Sequence, residues 1–138
     1  MAENFNINYP MIHQGTEKTE VVFYQNEREL FSNIIDTENK HIYVTDSNIA
    51  LLPEVKKFLD LQKAKNHPVV VLPSGEENKT LDSVLSIVKA ALEADFNRNS
   101  VFVGIGGGVI TDMTAFAASI FKRGTKLYIW ARTTIKYR

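Results

Sequence analysis

Three apolar runs of strand length punctuate this chain, and each is followed by a polar loop and then by an amphipathic stretch. The runs are His41–Thr45, Pro68–Leu72 and Val101–Ile105. Alternation of this kind is the pattern of βα units, and its most economical fold is an α/β layer built on a largely parallel sheet. The crossovers are expected to be right-handed. Pro68–Leu72 (PVVVL) reads as a strand covered on both faces. Leu127–Trp130 reads as a last strand. Earlier in the chain, Phe5, Ile7 and Tyr9 alternate with polar residues as in a half-buried strand. A polar turn is expected over His13–Lys18, a second short strand over Val21–Tyr24 and a helix over Glu27–Ile35.

The helices between the later runs carry their own signals. Pro53 stands where a first-turn proline is favoured, and Val55, Phe58, Leu59 and Gln62 follow at helical spacing. Leu81, Val84, Leu85, Val88, Ala91 and Leu92 predict a second helix, with Thr80 or Asn78 as cap. Val109, Met113, Phe116, Ala117 and Ile120 predict the buried face of a third, ending near Gly124. At 138 residues the chain suits one domain, residues 1–138, with one sizeable core.

Charge and composition remove several classes of function. Sixteen basic and sixteen acidic residues cancel. No basic excess exists to neutralise nucleic-acid phosphates or anionic lipid, so neither partner is expected. No apolar run reaches the ~18 residues of a membrane span. Cysteine is absent, which excludes disulfides, thiolate metal sites and a cysteine nucleophile. Met1–Pro10 has no secretory pattern, and a cytoplasmic location is expected. His13, His41 and His67 lack ligand spacing, so no metal site is expected in the chain. There is neither a G-x-S-x-G elbow nor a P-loop.

In parallel sheets, ligands bind beyond the carboxyl ends of the strands. Three polar loops follow such ends: Asp46–Asn48, Ser74–Lys79 and Gly106–Asp112. If their strands are neighbours, the loops share one rim. Gly106-Gly107-Gly108 joins a buried strand to a helix. Glycines there permit positive φ and close approach of a ligand, and the exposed N–H groups of the helix start suit a pyrophosphate. A tight turn with no ligand is the alternative. The G-x-G-x-x-G fingerprint is not met, because Gly104 and Gly106 are followed by Val109 and Lys126 stands near the usual acidic position. Asp112 either complements the helix N-terminus or accepts hydrogen bonds from a ligand. Asp46 and Asn48 either form an Asx turn or hold ribose hydroxyls. Glu76 and Lys79 are either a surface ion pair or a ribose carboxylate and a phosphate-side ammonium. Arg123 either complements the helix C-terminus or binds an anion.

Taken together, three segments resemble the amino-terminal domain of the 3-dehydroquinate synthases and related sugar-phosphate cyclases. They are VTDSN (Val44–Asn48), PSGEENKTLD (Pro73–Asp82) and GGGVITDMTAFAASIFKRG (Gly106–Gly124), in the family's order and spacing. The resemblance implies a Rossmann-like sheet that binds NAD. It places Asp46 and Asn48 at the adenosine ribose, Glu76 and Lys79 at a ribose and the bound cofactor, and Gly107, Gly108 and Val109 around the pyrophosphate. Asp112 falls at the nicotinamide amide and Arg123 near the substrate. No catalytic residue is carried over.

The family reaction turns 3-deoxy-D-arabino-heptulosonate 7-phosphate, a phosphate sugar acid, into 3-dehydroquinate and phosphate in the shikimate route to aromatic amino acids. Zinc or another divalent metal is implied only in a carboxyl-terminal domain, which this chain is expected to lack and without which it is expected to be inactive. A homodimer is implied as well. Two departures stand out: Thr111 replaces the usual glycine, and Arg132 stands where the family has proline. A non-catalytic nucleotide-binding or interaction remnant is one alternative. A domain of the iron-dependent alcohol or glycerol dehydrogenases is another, although Val109-Ile110-Thr111-Asp112 follows the synthase pattern.

Overall fold

The computed structural model describes residues 39–122 and 125–131 in full, and the backbone of residues 3–10, 16–23 and 123. The chain divides into two units, Met1–Asp36 and Thr37–Arg138. In the first, strands β1 (Glu3–Pro10) and β2 (Thr16–Phe23) form an antiparallel ribbon, in register from Glu3↔Phe23 to Pro10↔Thr16. Strand β2 begins earlier than the apolar run Val21–Tyr24 suggests and takes in Thr16–Lys18 of the expected turn. Backbone pairing, which any side chain permits, carries the strand through those polar residues. The helix expected over Glu27–Ile35 lies outside the described residues.

The second unit is a parallel α/β layer. Its elements are β3 (His41–Asp46), α1 (Pro53–Ala64), β4 (Val69–Leu72), α2 (Leu81–Glu93), β5 (Val101–Gly106), α3 (Gly108–Ile120) and β6 (Lys126–Ala131). The strand order is β4-β3-β5-β6, with every pair parallel. The structure thus has the α/β, Rossmann-like arrangement that the βα alternation predicts.

Alternation along β3 sends successive side chains to opposite faces. Ile42 and Val44 join Leu72, Phe102 and residues of α2 and α3 in one apolar cluster. Tyr43 points the other way, onto α1, where its ring meets Phe58 edge-on at 5.3 Å. Phe58 in turn meets Trp130 of β6 at 5.4 Å. Each large side chain buried in this way contributes about 1.5–3 kcal/mol.

Helix α1 buries Val55, Phe58, Leu59 and Gln62, the predicted stripe, and Pro53 opens it. Helix α2 has Thr80 as its cap, whose Oγ1 accepts the Ser83 N–H at 3.1 Å.

Three expectations are corrected. Strand β4 lies at the sheet edge and its faces are covered only in part, with Leu72 buried, Val69 and Val70 half-buried and Val71 46% exposed. On α2 the buried row is Val84, Ile87 and Ala91, while Leu81, Leu85 and Leu92 are exposed. On α3 the buried row is Ile110, Met113, Thr114, Ala117 and Ala118, while Phe116 and Ile120 are about half exposed. Both helices carry apolar residues on more than one face, and packing against Leu72, Ile42 and Phe102 decides which row turns inward. Helix α3 gives way to the short turn Phe121–Arg123, near Gly124 as expected, and there Lys122 adopts φ +44°, ψ +45° and breaks the helical path.

Candidate functional site

Because β4, β3 and β5 are parallel neighbours, their carboxyl ends at Leu72, Asp46 and Gly106 lie on one rim. Chain direction reverses its progress across the sheet between β3 and β5. The chain moves outward from β3 to β4 and returns past β3 to β5. Such a switch point is where doubly wound sheets open a ligand crevice.

After β3 the chain turns sharply. Asp46 Oδ1 accepts the N–H groups of Asn48 and Ile49, both at 2.8 Å. This is the Asx-turn reading of Asp46, and it spends one carboxylate oxygen on the backbone. Asn48 begins a single 3-10 turn, Ile49–Leu51, and its exposed side chain makes no capping bond there.

The loop after β4 is laced to the turn after β3. The Ser47 N–H donates to the Leu72 carbonyl at 2.9 Å, and the Ser74 N–H donates to Ser47 Oγ at 3.2 Å. Within the loop, Asn78 Nδ2 donates to the Ser74 carbonyl at 2.9 Å, and Ser83 Oγ donates to the Asn78 carbonyl at 2.9 Å. Gly75 sits at φ +114°, a conformation that side chains rarely adopt. The exposed Glu77 carboxylate lies where a Cβ at 75 would stand, but it can swing aside, so the backbone conformation is what calls for glycine. The sequence offers Asn78 only as an alternative helix cap and gives Ser47 and Ser83 no role, since isolated serines carry no motif.

This lacing aims Lys79 across the rim. Its Nζ lies 2.8 Å from Asp112 Oδ2 on α3, and 3.9 Å from Glu76 Oε1. Lys79 therefore pairs with Asp112, 33 residues away, far more closely than with Glu76 three residues away. The Asp112 hydrogen bond and charge raise the Lys79 ammonium above its ordinary value, with a smaller push from Glu76 and some opposition from desolvation. Asp112 lies beyond the first turn of α3, so its partner is Lys79 rather than the helix start.

The glycine triplet completes the rim. Gly106 takes φ +152°, and Gly107 caps α3 with no side-chain hydrogen bond. The first turn of α3 holds no acidic residue, so no carboxylate there competes for its N–H groups. A Cβ built at Gly108 meets nothing within 4 Å, which leaves open space above the helix start. Val109 follows, partly exposed. Thr111 Oγ1 donates back to the Gly108 carbonyl at 3.2 Å. The arrangement presents backbone donors, one ammonium and several carboxylates around an open glycine turn. Such a surface suits a phosphate-bridged ligand with hydroxyl groups.

The structure thus brings Asp46, Asn48, Glu76, Lys79, Gly107, Gly108, Val109 and Asp112 to one rim. Arg123 lies in the turn after α3, at the other end of that helix, and its side chain is outside the described residues. Among the described residues no three His, Cys, Asp or Glu side chains form a group able to hold a metal ion. Arg132 lies outside the described residues.

Fold and rim together define a Rossmann-like α/β domain with a candidate ligand site at its switch point. Its backbone is similar to that of 2-deoxy-scyllo-inosose synthase, with a TM-score of 0.60 at 23% identity over 91% of this chain and 35% of that one. It is also similar to 2-epi-5-epi-valiolone synthase from Streptomyces hygroscopicus subsp. jinggangensis 5008, solved with NAD+ and Zn2+ bound. There the TM-score is 0.55 at 23% identity, over 70% of this chain and 28% of that one. Residues 69–136 match the family described as 3-dehydroquinate synthase N-terminal. It is 41% identical over 96 residues to 3-dehydroquinate synthase of Acidithiobacillus ferrooxidans, covering 67% of this chain and 25% of that one. It is 32% identical over 129 residues to the Endomicrobium trichonymphae enzyme, covering 91% of this chain and 35% of that one. The chain spans about a quarter to a third of the length of these curated relatives.

Proposed function

We propose that this domain binds NAD+ along the rim and serves a 3-dehydroquinate synthase reaction, releasing phosphate from 3-deoxy-D-arabino-heptulosonate 7-phosphate to give 3-dehydroquinate. The observation that carries the reading is the pairing of Lys79 with Asp112, from separate βα units, next to an open glycine turn. A turn serving only to reverse the chain has no need of open space at Gly108 or of a charged pair beside it. The cofactor fits the residues present. The first N–H groups of α3 would meet its pyrophosphate, Lys79 would lie near the phosphates, and Asp46, Asn48 and Glu76 would receive ribose hydroxyls. Asp112 would accept from the nicotinamide amide once Lys79 turns toward phosphate. When bound, NAD+ supplies reversible hydride acceptance.

The phosphate sugar acid, the metal and a homodimeric, cytoplasmic assembly belong to the same proposal and rest on the family resemblance of the sequence. So does the expectation that the 138-residue chain alone does not turn over substrate. Titration calorimetry of the chain with NAD+ tests the binding. Saturable one-site binding is expected, and no measurable heat at millimolar NAD+ overturns the reading. Synthase turnover by the purified chain would overturn the expected inactivity.

A further inference from the structure

The central strands part where the rim opens. The ladder between β3 and β5 runs from His41↔Val101 to Val44↔Gly104 and stops. Each strand continues with its outer neighbour, β3 with β4 to Asp46↔Leu72 and β5 with β6 to Gly106↔Ala131. Two parallel strands that separate inside a sheet leave buried backbone groups facing a partner that has moved away. Such groups are costly unless something else satisfies them.

One side chain spans this gap. Thr45 Oγ1 donates to the Ile105 carbonyl at 2.8 Å. Thr45 is fully buried, and Ile105 is buried beside it. The bond lies one step past the last ladder pair, and the next residues along the two strands are Asp46 and Gly106. Gly106 has the positive φ that starts the glycine turn. The Thr45 hydroxyl therefore replaces a ladder bond by a longer, side-chain-mediated one, at the place where the sheet must open to admit a ligand.

We infer that Thr45 is a positioning residue whose hydroxyl sets how far β3 and β5 part and, through the Ile105 carbonyl, holds the Gly106 turn in its ligand-ready shape. This rests on the reading of the rim as the cofactor site. A threonine chosen only for strand propensity or packing would be replaced by valine without effect on the turn, since the two have nearly the same shape. A hydroxyl required to meet Ile105 is kept by serine and lost in valine.

The test compares Thr45→Val and Thr45→Ser in the full 138-residue chain. Without cofactor, hydrogen exchange of the segment 104–110 is expected to quicken about tenfold in Thr45→Val and to stay near the parent rate in Thr45→Ser. With NAD+, affinity is expected to fall about tenfold in Thr45→Val and to recover in Thr45→Ser. Unchanged exchange over 104–110 in Thr45→Val overturns the inference, as does a serine variant that behaves like valine. A parent chain that binds no NAD+ overturns the cofactor reading alone, because the exchange measurement still decides the role of Thr45 in the turn. Should Thr45→Val not fold, Thr45→Ala set against Thr45→Ser gives the same comparison.

Discussion

Lys79 and Asp112 meet at 2.8 Å although one lies in the loop after β4 and the other on α3. With β3 and its turn between their strands in the sheet, the pair bridges two βα units over the rim. Both side chains are well exposed, so the bond adds little to stability and its significance is positional. Removing Lys79 is expected to leave the fold in place and weaken NAD+ binding. Lys79→Ala should lower affinity about tenfold in calorimetry, as for loss of a hydrogen bond to a charged group. Its melting midpoint should stay close to the parent value. Unaltered affinity would take Lys79 out of the site.

The same pair gives a pH dependence of defined sign. Asp112 raises the folded-state value of Lys79 above the ordinary lysine value. The stabilisation is thus complete below the ordinary value and is lost as pH rises through the raised one. Urea midpoints of the parent and Asp112→Asn should differ slightly at about pH 9, below the ordinary lysine value, and converge once the pH has risen past the raised Lys79 value. A difference that widens at alkaline pH would contradict the assignment.

Two glycines near the turn predict opposite behaviour. A Cβ at Gly104 would stand 2.9 Å from Thr114 Oγ1, which is buried and bonded to the Ile110 carbonyl. Gly104→Ala should therefore push α3 off β5 and cost about 1–3 kcal/mol in chemical denaturation. At Gly108 the added Cβ meets nothing. Gly108→Ala should fold as well as the parent or better, by up to ~1 kcal/mol, yet bind NAD+ more weakly. Equal NAD+ affinity in Gly108→Ala would mean that the open space is not where the pyrophosphate lies.

Asp46 serves its own turn before any ligand. Replacing its carboxylate frees the N–H groups of Asn48 and Ile49. Asp46→Ala should cost about 1 kcal/mol, like the loss of a helix cap. Asp46→Asn, which keeps an oxygen acceptor, should recover most of it. Denaturant midpoints of the two variants decide the matter.

The sequence makes some of this legible and hides the rest for identifiable reasons. Helix α1 is readable because Val55, Phe58 and Leu59 form one apolar row, continued by Gln62, and that row is buried, with only Leu61 as a large apolar residue outside it. Helices α2 and α3 carry more apolar residues than one face can hold. Periodicity then admits Leu81, Leu85 and Phe116 as readily as Val84, Ile87 and Ala117, and only contact with the sheet separates them. Strand β4 looks central because Val69, Val70 and Val71 are β-branched, but composition cannot tell an edge from a middle position.

At the rim, the three loops can be read from their glycines and polar clusters. Their cross-links cannot. Lys79 has an acidic residue three positions before it, and local spacing favours that one, whereas the closer partner is 33 residues on. The Thr45 bond to Ile105 spans 60 residues and depends on where a ladder stops, which no local pattern records.

The strand order has a consequence for how the rim comes into being during synthesis. Strand β3 is made early but sits between β4 and β5, and Thr45 finds its acceptor only when residue 105 is available. No hairpin can pre-assemble this layer, because every pairing in it joins strands separated by an intervening segment. On a ribosome, a nascent chain that has exposed β3, α1 and β4 holds two of the three loops but no glycine turn. Its β3 edge stays unpaired until β5 emerges, which is when a chaperone or a neighbouring nascent chain would find it.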